Sequence, residues 1–309
     1  MNKDLELMYS WLKEDYPEYA DILIQLCVND SEKNDLFFTH VFLAIDYFDK
    51  NNSKFSPEII HTLLSSYSYL IAVFFCLDSL VDGHSCVDGN LATSEVAKAQ
   101  TLFLTGGLIR LRKFCSLTNL DLFEVESKVN SVFYEYVLAL DQEVINQQIL
   151  ENIDPRCDYE NIIGRANLSL FMFEIVGLAC EEKKSQQLLN VLKNVLKELI
   201  YFVQLSDDLQ DWKQDFESSR YTSFLRGCLS KFENTPSLTE LEEFIYLNGS
   251  YESWLAKIIM GLDTISKELN NMGKSDTLLM EYIRVQRKVT KEWLVRFVNE
   301  KKSFLEVAK

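Results

Sequence analysis

Residues 204 to 215 read Gln204-Leu-Ser-Asp-Asp-Leu-Gln-Asp-Trp-Lys-Gln-Asp215, which places Asp207, Asp211 and Asp215 at intervals of four. On an α-helix these three carboxylates lie along one stripe about 12 Å long, and Asp208 flanks it. Like charges four residues apart destabilise a helix. Because the stripe directly follows the apolar run 199 to 203, it predicts compensating divalent cations, which prefer oxygen ligands.

A second acidic pair, Asp78 and Asp82, is also spaced by four and ends a long apolar segment. Steps of three or four back from either acidic site lead to apolar or aromatic side chains on one helix face. This predicted lining comprises Tyr67, Ile71, Phe74, Phe75 and Val203, together with the polar residue Gln204. An apolar lining with acids at its rim suits a ligand that has a hydrocarbon tail and an anionic head. The alternative is that these residues are ordinary core.

The composition favours long helices and excludes several classes of function. The 309 residues include only 10 Gly and 4 Pro, and apolar residues recur at spacings of three and four, with no sustained alternation. We therefore expect about ten helices in one all-α domain spanning residues 1–309. The net charge of −16 argues against nucleic acid as a partner, because phosphate binding requires a basic surface.

The sequence favours a cytoplasmic protein without a membrane span. The seven cysteines are an odd number without metal-ligand spacing, which fits reduced thiols. The N-terminus lacks the basic and apolar regions of a signal peptide. The most apolar segment, 63 to 81, has an uninterrupted core of nine residues, from 69 to 77, whereas a spanning helix needs about 20.

The two acidic segments, taken in order, resemble the paired aspartate-rich motifs of class I isoprenoid synthases. Residues 204 to 215, followed by Arg220 and Tyr221, are similar to the second motif of squalene and phytoene synthases and also satisfy the QxxDDxxD pattern of chain-elongating prenyl diphosphate synthases. Residues 69 to 82 are similar to a first motif of the DxxxD kind. The resemblance implies a single-domain helical bundle around a central apolar pocket.

The same resemblance implies a role for each acidic residue. Several Mg²⁺ ions would be held by Asp78, Asp82, Asp207, Asp208, Asp211 and Asp215, and they would clamp an allylic diphosphate. Metal ions neutralise the charge that develops on a diphosphate leaving group. The carbocation left behind would then lie among aromatic faces, which attract cations.

Three sets of basic or polar residues are candidates for binding the diphosphate. Arg165 resembles the diphosphate-sensing arginine that precedes the second motif in terpene cyclases, and Arg220 and Tyr221 follow the acidic helix. A guanidinium group can bind phosphate oxygens with two parallel hydrogen bonds. The cluster Arg284, Arg287 and Lys288 is a further candidate, although a solvated helix face also explains it.

The departures from the family pattern leave alternative functions open. The chain lacks the Gly-Gly-Lys…Arg-Pro start of chain-elongating synthases, and Gly164 is the only glycine in the segment where head-to-head synthases place several. The first expectation is therefore a terpene synthase that cyclises or rearranges a farnesyl or geranylgeranyl diphosphate. The alternatives are a prenyltransferase, either head-to-head or to a non-isoprenoid nucleophile, and an inactive helical scaffold. A homodimer is also possible for this family.

Overall fold

The described part of the chain is built from α-helices. The computed structural model describes residues 3–22, 39–49, 54–81, 93–148, 155–180, 185–219 and 221–307. Every regular element in these ranges is an α-helix, which confirms the predicted all-α class. The helices are α1 (Lys3–Asp15), α2 (Thr39–Asp49), α3 (Pro57–Val81), α4 (Thr93–Thr118), α5 (Leu122–Gln148), α6 (Pro155–Arg165), α7 (Asn167–Ala179), α8 (Ser185–Gln210), α9 (Trp212–Glu217), α10 (Ser223–Leu229), α11 (Leu238–Asn248), α12 (Ser250–Asn271) and α13 (Leu278–Val307).

The described residues contain thirteen helices rather than about ten, because three helical segments are each interrupted at a single residue. One interruption falls at Gly249, between α11 and α12, and the other two fall at Ala166, between α6 and α7, and at Asp211, between α8 and α9. Neither Ala166 nor Asp211 is a glycine or a proline. The breaker residues that mark most helix ends in a sequence therefore gave no signal at these two positions.

The chain divides into two compact units. The first comprises Met1–Val132 and Leu168–Ser185, and the second comprises Phe133–Asn167 and Gln186–Lys309. The single-domain interpretation stays a prediction.

In the first unit, α3 packs closely along α4. A Cβ atom at Gly106 would lie 2.5 Å from the ring of Tyr69, and one at Gly107 would lie 2.9 Å from Leu70. The absence of side chains at these two positions therefore lets the helix axes approach. The hydroxyl of Ser66 donates a hydrogen bond of 3.0 Å to the carbonyl oxygen of Gly107, which fixes the register of the pair.

Helix α3 is also the most apolar long helix among the described residues. Residues Pro57–Leu80 are long and apolar enough to cross a membrane, but most of this stretch is buried inside the protein. Its serines Ser65, Ser66 and Ser68 are buried together with Leu63 and Leu70. This burial is typical of a core helix, in agreement with the sequence prediction that the segment does not span a membrane.

In the second unit, α8 lies between α6 and α12. The ring of Tyr201 on α8 is 5.1 Å from that of Tyr159 on α6. On the α12 side, a Cβ atom at Gly261 would lie 2.2 Å from the ring of Phe202, so the phenyl ring occupies the space of a missing side chain. A similar approach joins α6 to α5, where a Cβ atom at Gly164 would lie 2.7 Å from that of Ala139.

Candidate active site

The acidic segment of the second unit continues through the interruption at Asp211. Asp211 has φ −96° and ψ 4°, in the sparsely populated region between helix and strand. Its amide still donates to the carbonyl of Asp207 at 3.1 Å, and the amide of Asp215 donates to the carbonyl of Asp211 at 2.9 Å. The helical spacing of the three acids is therefore retained although the regular helix ends at Gln210. All three side chains are partly exposed.

Asp208 is the most buried carboxylate of this segment. Its exposed fraction is 7%, and the amide of Gln204 donates a hydrogen bond of 3.0 Å to its Oδ1 atom. The pKa of Asp208 is raised to about 7, chiefly by burial; the Gln204 hydrogen bond lowers it, and the negative charges of Asp207, Asp215 and Asp158 add to the increase. When Asp208 is ionised, its charge is repelled by these other carboxylates, and a bound cation would reduce that repulsion.

Asp158, one of the acids that raise the pKa of Asp208, lies on α6 and forms an ion pair with Arg226 on α10. The exposed fractions of the two side chains are 14% and 7%. Arg226 also donates to the carbonyl oxygen of Tyr221, and the hydroxyl of Ser223 donates to Asp158. These contacts tie the start of α10 and the preceding loop to α6. Arg226 compensates the charge of Asp158 in part, and that charge still raises the pKa of Asp208.

Sequence reasoning did not identify Asp158 or Arg226 as part of this site. The available signal was Arg226 itself, a single cation within the apolar helix Ser-Phe-Leu-Arg-Gly-Cys-Leu. A buried charge requires a partner, so this context predicts an acidic residue elsewhere in the chain. Which acid that would be depends on a contact between residues 68 apart, and the spacing does not reveal it.

The residues of the second unit that are predicted to bind the diphosphate differ in their exposure and in whether the structure describes them. Tyr221 is partly exposed, and its carbonyl is held by Arg226. Arg165 is the last residue of α6 and is exposed, directly before the interruption at Ala166. Arg220 lies outside the described residues. Diphosphate binding by these residues stays a prediction.

Aromatic side chains of α8 lie between Asp208 and the middle of the helix. Lys257 of α12 has its ammonium group 5.4 Å from the ring centroid of Tyr201 and donates a hydrogen bond of 3.3 Å to the Tyr201 hydroxyl. Burial, together with the charge of Glu198, raises the pKa of the neighbouring Tyr159 to about 12. Val203 and Gln204, which are predicted to line the pocket, are half-buried.

In the first unit, the predicted lining residues belong to one face of α3. Tyr67 and Phe74 are 1% and 5% exposed, whereas Ile71, Phe75 and Asp78 are half-buried. The burial of Tyr67 and Phe74 is that of ordinary core, whereas Ile71 and Phe75 keep some accessible surface; pocket lining by this face stays a prediction. Asp78 lies near the end of α3, while Asp82 lies outside the described residues.

The buried end of this face contains a polar contact. Burial raises the pKa of Tyr67 to about 12, although a hydrogen bond with Ser169 lowers it. The Ser169 hydroxyl is 3.1 Å from Nδ1 of His40, whose pKa burial lowers to about 4. His40 is therefore neutral at physiological pH and is not a cation of the site.

The described residues provide oxygen donors for a magnesium site but no assembled cluster. Among them, no group of three or more His, Cys, Asp and Glu side chains is arranged to hold a metal ion. The donor set itself fits Mg²⁺, because carboxylate oxygens are its preferred protein ligands and Asp208 is crowded by three further acids. Asp78 and Asp207 belong to different compact units, so their sharing of one metal cluster stays a prediction.

Comparison with solved structures identifies the fold. The structure is similar to that of a decaprenyl diphosphate synthase from Rhodobacter capsulatus, with a TM-score of 0.65 and 13% sequence identity. The similarity covers 95% of this chain and 99% of the synthase chain. The chain has the all-α isoprenoid-synthase-like fold. No protein-family model matches the sequence, and no curated protein matches it. The likeness therefore establishes the architecture and leaves the reaction to be argued from the residues.

Proposed function

We propose that this protein is a Mg²⁺-dependent prenyltransferase that ionises an allylic prenyl diphosphate and transfers the prenyl group to an acceptor. The observation that carries the proposal is the retained helical spacing of Asp207, Asp211 and Asp215 beside the buried carboxylate of Asp208. Such an arrangement destabilises the metal-free ionised state and favours a bound divalent cation. The likeness to a decaprenyl diphosphate synthase supports transfer as the type of reaction.

The proposed reaction begins with cleavage of the bond between the allylic carbon and the diphosphate oxygen. The electron pair leaves with the diphosphate, and bound Mg²⁺ supplies Lewis-acid stabilisation of that leaving group. In this proposal Asp207, Asp208, Asp211 and Asp215 hold metal, and Asp78 and Asp82 do so from the other acidic segment. An electron pair of the acceptor then forms the new bond to carbon, and a proton is lost from the adduct.

The protein residues around the acids have supporting roles in this proposal. Gln204 orients Asp208 through its hydrogen bond, and the ion pair of Asp158 with Arg226 fixes α10 beside the acidic segment. A half-buried aromatic ring such as Phe75 would face the hydrocarbon chain and stabilise the allylic cation. The acceptor is either a second prenyl diphosphate or a non-isoprenoid nucleophile.

Cyclisation of the same prenyl chain is the second candidate, and Arg165 favours it. This exposed arginine ends α6 immediately before the interruption at Ala166. It resembles the diphosphate-sensing arginine of terpene cyclases. The chain also lacks the Gly-Gly-Lys…Arg-Pro start with which elongating synthases hold isopentenyl diphosphate. In this case a farnesyl or geranylgeranyl diphosphate would give a hydrocarbon and no adduct.

Incubation with geranyl, farnesyl and geranylgeranyl diphosphate tests both candidates. Purified protein should release diphosphate in the presence of Mg²⁺ and should release none in EDTA. Mass spectrometry of the extract then separates the two, since transfer adds the mass of an acceptor whereas cyclisation preserves the prenyl skeleton. Assays should include isopentenyl diphosphate, a second copy of each allylic substrate and aromatic nucleophiles.

Two variants make this assay specific for the acidic segment. Asp211→Asn should abolish diphosphate release, while Asp141→Asn, which changes an exposed carboxylate on α5 by the same single charge, should leave it intact. If the wild type releases no diphosphate from any substrate of the panel, the proposal fails and the inactive scaffold becomes the better explanation.

A further inference from the structure

Helix α13 carries a basic groove in a chain that is otherwise strongly acidic. The groove is an open depression of about 520 Å³ along this one helix, and its lining consists of five cationic side chains, one carboxylate, Glu292, and Val295. The cations are Arg284, Arg287, Lys288, Lys291 and Arg296. The whole chain has a net charge of −16, so this concentration of positive charge is a local feature.

Three of the five cations have an acidic partner within reach. Arg284 lies 3.2 Å from Glu281, Arg287 donates to Asp263 at 3.1 Å, and Lys288 lies 4.0 Å from Glu292. The pairs of Arg284 and Lys288 are largely exposed and contribute little to stability, whereas the pair of Arg287 with Asp263 is partly buried and has two contacts. Their main effect is to neutralise part of the groove.

The other two cations give the groove its excess of positive charge. Lys291 and Arg296 are exposed, and neither forms an ion pair with any residue that the structure describes. Lys291 also follows Arg284 and Lys288 along one helix face at spacings of four and three, where like charges repel. A bound anion would relieve this repulsion, just as a cation would relieve the acidic stripe.

The chemistry of the side chains points to one class of anion. Guanidinium groups bind phosphate oxygens through two parallel hydrogen bonds, and ammonium groups add charge from several directions. Lys291 and Arg296 both line the groove, so a phosphate-bearing ligand within it can contact either side chain. The groove is also open to solvent, so a headgroup attached to a larger molecule can enter it.

We propose that this groove binds the phosphate or diphosphate group of a ligand directly, without a metal ion. The site uses none of the residues assigned to magnesium, and so it goes beyond the proposed reaction. Its ligand is either a soluble diphosphate or the phosphate headgroup of a lipid, since both offer the same oxygens to the same cations.

Titration with inorganic pyrophosphate in EDTA tests the groove, because EDTA removes the metal-dependent mode of binding. Isothermal titration calorimetry should detect saturable binding that weakens as salt is added. The double variant Lys291→Gln/Arg296→Gln should bind about tenfold or more weakly, because two charge-assisted contacts are lost. The matched variant Lys231→Gln/Lys267→Gln, which removes two exposed lysines elsewhere in the second unit, should bind like the wild type.

A second arm of the experiment identifies the source of the phosphate. Co-sedimentation with phosphatidylcholine vesicles that contain phosphatidic acid reports a lipid headgroup, and vesicles of phosphatidylcholine alone are the control. Binding of pyrophosphate or of the acidic vesicles, lost in the double variant, supports the proposal and names the source. If the wild type binds neither, or if the double variant binds equally well, the groove is only a solvated helix face.

The same measurement separates this inference from the proposed reaction. Asp211→Asn should bind pyrophosphate in EDTA like the wild type, although it should not release diphosphate from a prenyl substrate. A chain that fails the activity assay but passes the EDTA titration would retain the groove as a binding site. The circular dichroism of each variant checks that the helices are intact.

Discussion

Asp208 should make the metal-free protein less stable as the pH rises, and Asp208→Asn should remove this effect. The pKa of Asp208 is raised from its ordinary value of 3.8 to about 7 in the folded chain. Between these values the folded state binds more protons than the unfolded state, so stability decreases with rising pH. Three pKa units correspond to about 4 kcal/mol.

The difference between variant and wild type should therefore depend on pH in a defined way. Near pH 4 the side chain is protonated in the folded state, and Asp208→Asn should match the wild type. By pH 8 the variant should be more stable by about 4 kcal/mol, because asparagine carries no charge to bury and still accepts the hydrogen bond of Gln204. Urea unfolding in EDTA, monitored by circular dichroism from pH 4 to 8, measures both chains.

A control and a metal titration sharpen this experiment. Asp141→Asn, at an exposed carboxylate, should show no comparable change with pH. At pH 8, Mg²⁺ should stabilise the wild type more than Asp208→Asn, since a charged carboxylate binds the cation more strongly than a neutral amide oxygen does. A difference between Asp208→Asn and wild type that stays constant from pH 4 to 8 would refute the reasoning about this burial.

Further substitutions test the other parts of the second unit and the first acidic pair. Asp78→Ala and Asp211→Ala should each lower diphosphate release about 100-fold or more with unchanged helical circular dichroism, and activity near the wild-type rate would count against the metal assignment. Arg226→Ala should lower the free energy of unfolding by about 3–5 kcal/mol in urea, because it leaves Asp158 buried without its partner, and the double change Arg226→Met/Asp158→Leu should restore most of the loss. Gly164→Ala should cost about 1–3 kcal/mol in thermal unfolding, because the new methyl group would lie 2.7 Å from a side chain of α5; an unchanged midpoint would mean that the two helices separate freely.

The helical class could be predicted from the sequence, because it depends on local patterns. Apolar residues at spacings of three and four and the scarcity of glycine and proline act within one or two turns, and the structure confirms the helices they predict. The interruptions at Ala166 and Asp211 were not predicted. Both occur at residues that tolerate a helix, so the surrounding packing decides their positions.

The candidate site could be predicted only in part, for a related reason. The spacing of Asp207, Asp211 and Asp215 depends on neighbouring turns, and their i to i+4 backbone bonds are indeed retained. The burial of Asp208 and the ion pair of Asp158 with Arg226 join residues far apart in the chain. No local pattern contains that information, and the roles assigned to these residues stay predictions until they are assayed.

The contact of Gly261 with the ring of Phe202 limits how this protein can diverge. A side chain at 261 would occupy the volume of the ring, so a relative with alanine or serine there must carry a smaller residue at 202, a ring turned to another position, or a wider gap between α8 and α12. The two positions should therefore be inherited as a matched pair. In distant relatives whose overall identity is too low to align, this pairing offers a reference point for placing α8 against α12.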